Sequence, residues 1–209
     1  MRLNIKSILE AFQAVKEYLF AYEKFQKKFA KIQNFQDLKI FIKERSAYVT
    51  QTTLYGYLKT RMGLKYTMMF SDKIFLESVE KSKWNIFAEA ASDLSLYTIS
   101  YLHNKKLITN SDPNKIYQEV LKGQINEGMN KELVDYYALS FERRLKNTNL
   151  LNYVSDAPFL NSSMALYKWA PIADELKVLD KEIVLNSVKN KWNGVIEDFS
   201  KLSKNFQDN

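Results

Sequence analysis

The sequence contains no cysteine, only one histidine, five glycines and three prolines. Without cysteine the chain forms no disulfide, and thiol catalysis and cysteine-bound metals are excluded. The single histidine, His103, excludes zinc sites with several histidines and the paired Glu-x-x-His motifs of di-iron bundles. A magnesium site made only of carboxylates has no signature here. We therefore predict neither a metal nor a cofactor.

The few glycines also exclude two common enzyme motifs. They stand at positions 56, 63, 123, 128 and 194, so no G-x-S-x-G nucleophile elbow is present. Gly123 and Gly128 have the spacing of a phosphate-binding loop, but Met129 and Asn130 follow where lysine and a hydroxyl are needed. Because sheets joined by tight turns use glycine and proline freely, their scarcity favours long helices.

The chain also has little that directs it to a membrane or to nucleic acid. The longest apolar stretch, 86–102, is interrupted by Glu89 and Asp93, and the N-terminus does not have the pattern of a secretory signal. We therefore expect a cytoplasmic protein without a transmembrane segment. The net charge of +7 comes mainly from dispersed lysines, whereas arginine is the usual residue for phosphate recognition. This argues against a nucleic-acid partner.

Apolar residues at steps of three and four predict an all-α fold, an antiparallel bundle of four or more long helices in a single domain of residues 1–209. The expected long helices span about 5–32, 35–62, 72–103 and 171–202. Residues 104–168 form a connecting region of shorter helices and loop, with helices beginning at Pro113 and after Asn130 and a loop over 147–163.

Two of the predicted helices have a long apolar row. In the first helix the row is Ile5, Ile8, Phe12, Val15, Leu19, Tyr22 and Phe29, with Gln26 at one polar position. In the last helix it is Leu176, Leu179, Ile183, Val188, Trp192, Val195, Phe199 and Leu202.

Small polar residues form rows along the second and third predicted helices, where lysine and glutamate would be usual on a solvated face. These polar rows are Ser46, Thr50, Thr53, Tyr57 and Thr60 in the second helix, and Ser78, Ser82, Asn85, Glu89, Ser92 or Asp93, and Ser100 in the third. One interpretation is a close seam with hydrogen bonds across it. The other is a polar pocket. We expect a buried Asp93 to have a partner, because an unpaired buried carboxylate is costly. Arg61 could be that partner, or it could bind an anionic ligand.

Two stretches, 49–63 (VTQTTLYGYLKTRMG) and 169–192 (WAPIADELKVLDKEIVLNSVKNKW), together with Ser92-Asp93-Leu94, resemble a family of uncharacterised alphaproteobacterial helical proteins. Some members of that family carry the label "esterase". The resemblance implies an ester hydrolase, with a hydroxyl of the polar rows as nucleophile and His103 or Asp93 as base. It also supports the choice of 50–61, Asp93 and 169–175 as candidate functional segments.

The function predicted from the residues is a non-catalytic cytoplasmic binding or assembly factor, which uses a polar groove between the second and third predicted helices. Its partner would be another protein or a small anionic ligand. The candidate binding residues are Thr50, Thr53, Tyr55, Tyr57, Arg61, Glu89, Asp93, Trp169, Asp174 and Glu175. Two alternatives remain open. One is the ester hydrolase. The other is a protein of RNA or membrane surfaces driven by its basic charge, with the amphipathic first helix as the membrane contact.

Overall fold

The computed structural model describes residues 31–109, 111–155 and 158–207, and this part of the chain is helical without a β-strand. Its helices are α1 (Phe35–Met62), α2 (Tyr66–Met69), α3 (Lys73–Asn104), α4 (Pro113–Lys122), α5 (Lys131–Lys146), α6 (Leu160–Trp169) and α7 (Asp174–Leu202). Single 3-10 turns lie at Gly63–Lys65 and Ile125–Glu127. The predicted all-α class is confirmed.

Capping residues set most helix boundaries. The side chain of Asn34 accepts a hydrogen bond from the backbone N–H of Asp37 at the start of α1. Asp72 and Asp112 cap α3 and α4 in the same way. Gly63 follows α1 with a φ of 54°, a left-handed conformation that a residue with a Cβ adopts at a cost. The predicted bounds of these helices are therefore correct to within about two residues.

Helix α3 forms the centre of the structure. Every residue from 90 to 100 is buried, so this helix is covered on all sides. It packs against α1, α4 and α6, while α7 packs against α1 and α6. Helices α1 and α7 run antiparallel, since Phe41 meets Phe199 at one end and Tyr57 meets Asp180 at the other. These contacts place α3 at the core and leave one side of the α1–α7 pair at the surface.

Three predictions about elements need correction. Helix α6 begins at Leu160, inside the predicted loop, and the last helix begins at Asp174 rather than at Pro171. The short helix Tyr66–Met69 was not expected. The predicted helix over 5–32 lies almost entirely outside the described residues.

The predicted apolar row of the last helix is correct in its second half and wrong in its first. Val188, Trp192, Val195 and Phe199 are buried. Leu176, Leu179 and Ile183 are exposed instead, and Asp180 and Val184 occupy the inward-facing positions. In the described part of the chain, no helix has the length and apolar character needed to span a membrane.

Candidate functional site

An open groove of about 370 Å³ lies between α1 and α7. Helix α1 lines it with Thr52, Gly56 and Thr60, and α7 lines it with Ile183 and Ser187. A side chain added at Gly56 would meet no atom within 4 Å, so the surface of α1 is flat and accessible there. We call this the α1–α7 groove. The predicted polar groove lay between α1 and α3, whereas this groove lies between α1 and α7 and no residue of α3 lines it.

An ion pair between Arg61 and Asp180 forms the polar end of this groove. The guanidinium of Arg61 donates two hydrogen bonds to the buried carboxylate of Asp180, and the Tyr57 hydroxyl donates a third over 2.8 Å. The hydrogen bond from Arg61 lowers the pKa of Asp180 below its ordinary value. Burial, and next the hydrogen bond to Asp180, raise the pKa of Tyr57 to about 12. The charges of Arg61 and Asp180 therefore neutralise each other inside the groove.

The predicted pairing of Arg61 with Asp93 is wrong, although the prediction that Asp93 is buried with a partner is confirmed. Asp93 is fully buried in α3 and accepts a hydrogen bond of 2.6 Å from Arg144. Tyr153 donates to the same oxygen over 3.2 Å, and the backbone N–H of Ser162 donates to the other over 2.7 Å. We call these four residues the Asp93 cluster. It lies at a different place from Arg61, which pairs with α7.

The Asp93 cluster has a structural explanation. Helix α6 has Phe159 at its N-cap position, and that residue provides no side-chain hydrogen bond to the first turn. Asp93 supplies the missing acceptor from another helix, and its negative charge also suits the helix N-terminus. Both oxygens of the carboxylate are engaged, so the cluster holds α3, α5 and α6 together.

Glu89 lies one turn before Asp93 and is less well paired. Its nearest hydrogen-bond donor is the Asn161 amide at 3.4 Å. Burial, and next the negative charge of Asp93, raise the pKa of Glu89, although Arg144 acts in the opposite direction. The ionised carboxylate is consequently less favourable in the folded protein than in the unfolded chain.

We expect Glu89→Gln to stabilise the protein at neutral pH, because it removes this penalty. A raised pKa in the folded state means that both states are protonated well below the ordinary glutamate pKa of about 4.3, where the penalty is absent. The gain should therefore be present at pH 7 and disappear towards pH 3.5. Urea midpoints across this pH range measure it, and Glu77→Gln, an exposed change on the same helix, is the control. A gain that is independent of pH, or a loss at pH 7, would contradict the assignment.

The remaining predicted site residues are scattered. Thr50 and Tyr55 are buried, and the ring of Tyr55 packs against Phe70. Trp169 is partly buried beneath the ammonium groups of Lys81 and Lys168. Asp174 and Glu175 are exposed in the first turn of α7. Of the ten candidates, the groove collects only Thr53, Tyr57 and Arg61.

The hydroxyls of the polar rows bond mainly to their own helices. Thr53 donates to the carbonyl of Val49, Thr60 to Gly56, and Ser78 to Ile74. Serine and threonine inside a helix commonly bond in this way to a carbonyl of the preceding turn, instead of to another element. Among the described residues, the buried hydroxyls of Ser46, Thr50, Ser95 and Ser100 have no hydrogen-bond partner. None of these hydroxyl bonds among the described residues crosses from α1 to α3, so they do not support the interpretation as a hydrogen-bonded seam.

His103 contacts a serine outside the polar rows. Its Nε2 atom lies 3.3 Å from the Oγ of Ser111. No carboxylate among the described residues lies within ion-pair distance of the imidazole, so none orients it as a hydrolase triad requires. The contact provides little support for the ester hydrolase.

Asp180 and Arg144 were missed at the sequence level, although both carry a signal. Asp180 stands four residues before Val184 and eight before Val188, in phase with the buried side of α7. Arg144 continues the inward-facing series Val134, Tyr137 and Phe141 of α5. A charged residue in the apolar phase of a helix indicates a buried partner on another element. Tyr153 lies in a turn and has no such periodic signal.

The described ranges contain no group of three or more acidic or histidine side chains arranged to hold a metal. A comparison of the chain with protein-family models, curated proteins and solved structures gave no match. The resemblance to the alphaproteobacterial family therefore stays a prediction.

Proposed function

We propose that this chain is a non-catalytic, cytoplasmic binding protein that holds an amphipathic helix of a partner protein in the α1–α7 groove. The observation that carries the proposal is the exposed apolar side of α7 next to that groove. Leu176, Leu179 and Ile183 repeat at steps of three and four, and the latter two are 74% and 70% exposed. Side chains with this spacing share one side of a helix, so they offer a continuous apolar surface.

The shape of the groove supports a helix as its occupant. Gly56, Thr52 and Ser187 are small, so a rod-shaped partner can approach the backbones of α1 and α7 closely. Helices that bind in grooves use apolar anchors at three- and four-residue steps, which match the spacing on α7. The groove therefore resembles the space that a further helix fills in a bundle.

The charges in the groove favour a protein partner over the small anionic ligand. Arg61 is the groove residue best suited to bind an anion, but both of its bonds go to Asp180, and the ammonium of Lys191, the other cation of the lining, lies over the ring of Tyr48. An anion would have to compete with a carboxylate that is already in place. An apolar helix needs no free charge and gains from burial of Ile183 and Leu179.

Photo-crosslinking in the native cell tests this proposal. A crosslinking amino acid at Thr52, in the groove, should give a discrete product with another protein, and the crosslinked peptide should map to one amphipathic helix. Ile183→Asp should reduce the yield about tenfold or more, because it places a charge where an apolar side chain has to be buried.

The matched control carries the same crosslinker at Glu44, an exposed position of α1 that does not line the groove. It should give no comparable product. The proposal fails if position 44 gives the same product, if Ile183→Asp leaves the yield unchanged, or if the product is a lipid.

A further inference from the structure

A second hollow lies on another side of α7, apart from the α1–α7 groove. It encloses about 330 Å³ between α7 and the first turn of α6, a volume that suits a small-molecule site. None of the residues that line it also lines the groove. We call it the α6–α7 pocket, and its α7 side consists of Leu185, Asn186, Lys189, Trp192, Asn193 and Ile196.

A fixed pair of aromatic rings forms the base of the α6–α7 pocket. Trp192 and Phe159 stack with their ring centroids 4.3 Å apart, and the indole Nε1 donates to the Oγ of Ser162 over 3.0 Å. Leu160, the first residue of α6, adds an apolar side chain that is 54% exposed. Because both rings are buried and held by other contacts, this apolar base is in place before a ligand binds.

Three polar side chains of α7 lie at the mouth of the pocket. Asn186, Lys189 and Asn193 are exposed, and within the described ranges none of them has a side-chain hydrogen bond or an ion pair. Their spacing of three and four residues places them on the same side of the helix. Among the described residues that line the pocket, Lys189 is the one with a charge. The pocket therefore combines an apolar base with a cation and amide donors that are available to a ligand.

We propose that the α6–α7 pocket binds a small organic acid with a flat apolar body, namely an aryl carboxylate. The apolar body lies against the stacked rings and Leu160, where its burial is favourable. The carboxylate stays at the mouth, where the ammonium of Lys189 and the amide N–H groups of Asn186 and Asn193 donate to it. This site is independent of the proposed partner helix, because the pocket and the groove share no lining residue.

The charge of the pocket favours a carboxylate over a phosphate. A single lysine balances one negative charge, whereas a phosphate monoester carries nearly two at neutral pH. The pocket also contains no arginine, the residue preferred for bidentate recognition of phosphate. An uncharged aromatic compound gains only from apolar burial, so the negative charge of the ligand should have a measurable effect on affinity.

An NMR titration of the full chain with 2-naphthoate tests the inference. The control ligand is 2-naphthamide, which has nearly the same shape without the charge. The titration follows the indole N–H signals of the three tryptophans. We expect naphthoate to shift the signal of Trp192, which is assigned with Trp192→Phe, and to leave those of Trp84 and Trp169 in place. Naphthoate should bind about tenfold more tightly than naphthamide, because only the carboxylate pairs with Lys189.

Two pairs of variants locate the site. Lys189→Gln should weaken naphthoate binding about tenfold and leave naphthamide binding unchanged, because it removes only the charge. Lys181→Gln, on the same helix but outside the pocket, should change neither. Leu160→Ala should weaken the binding of both ligands, because it removes apolar surface. Leu139→Ala, a leucine on α5 that is 55% exposed, should have no effect.

Equal affinity for the two ligands would overturn the inference, as would a Lys189→Gln variant that still prefers naphthoate or a Trp192 signal that does not respond. Loss of naphthoate binding in Ile183→Asp would also overturn it, because that result would place the ligand in the α1–α7 groove. The lysine, leucine and isoleucine variants all change exposed side chains, and circular dichroism checks that each of them keeps the fold.

Discussion

Asp93→Asn is expected to lower the free energy of unfolding by about 4 kcal/mol, the usual cost of removing one partner of a buried ion pair. The asparagine keeps the size of the side chain but leaves Arg144 without its counter-charge. One oxygen acceptor also becomes an amide donor, so either Arg144 and Tyr153 or the N–H of Ser162 loses its bond to residue 93, although Arg144 still donates to Ser92. Urea denaturation followed by circular dichroism measures the loss.

Glu197→Gln is the control for this prediction. Glu197 forms an exposed pair with Lys201 one turn along α7, and such pairs contribute less than about 0.5 kcal/mol. A double variant, Asp93→Asn with Arg144→Met, should recover part of the loss because it no longer buries an isolated charge. If Asp93→Asn were as mild as Glu197→Gln, the cluster would not hold the three helices together.

Local signals explain why most helix boundaries were predictable. The side chains of four residues each accept a hydrogen bond from the first turn of the helix that follows: Asn34, Asp72, Asp112 and Asn130. The signal for the start of each of these helices therefore lies directly before that start in the sequence. The start of α6 has no such neighbour. Its acceptor is Asp93, sixty-nine residues earlier than Ser162, and no local pattern contains that information.

The partner of Arg61 shows a second limit of prediction. Periodicity identifies which residues share a side of a helix, but not which helix lies opposite. Asp93 and Asp180 were therefore both compatible partners for Arg61, and the contact of α1 with α7 selects Asp180. The same limit applies to Leu176, Leu179 and Ile183. Their spacing shows correctly that they form an apolar side, but not that this side faces away from the described core.

Trp192→Ala is expected to cost about 4 kcal/mol, as is usual when a large aromatic side chain is removed from a core. Trp192 is 1% exposed and stacks on Phe159, with ring centroids 4.3 Å apart. Phe159 has a φ of 72°, a left-handed conformation that costs a residue with a side chain about 1 kcal/mol or more. The stacked indole holds it in that conformation, at the residue from which α6 begins.

Trp192→Phe distinguishes the contribution of ring stacking from that of the indole hydrogen bond. It keeps an aromatic ring for stacking but loses some buried volume and the hydrogen bond of 3.0 Å from the indole Nε1 to the Oγ of Ser162, so a loss of about 2 kcal/mol is expected. Lys189→Ala, an exposed change on the same helix, is the control. Urea midpoints followed by circular dichroism avoid the change in tryptophan fluorescence. Losses of equal size for the two Trp192 variants would mean that the hydrogen bond, and not the stacked ring, fixes Phe159 and the start of α6. The Asp93 cluster would then depend on that bond, because Ser162 belongs to both contacts.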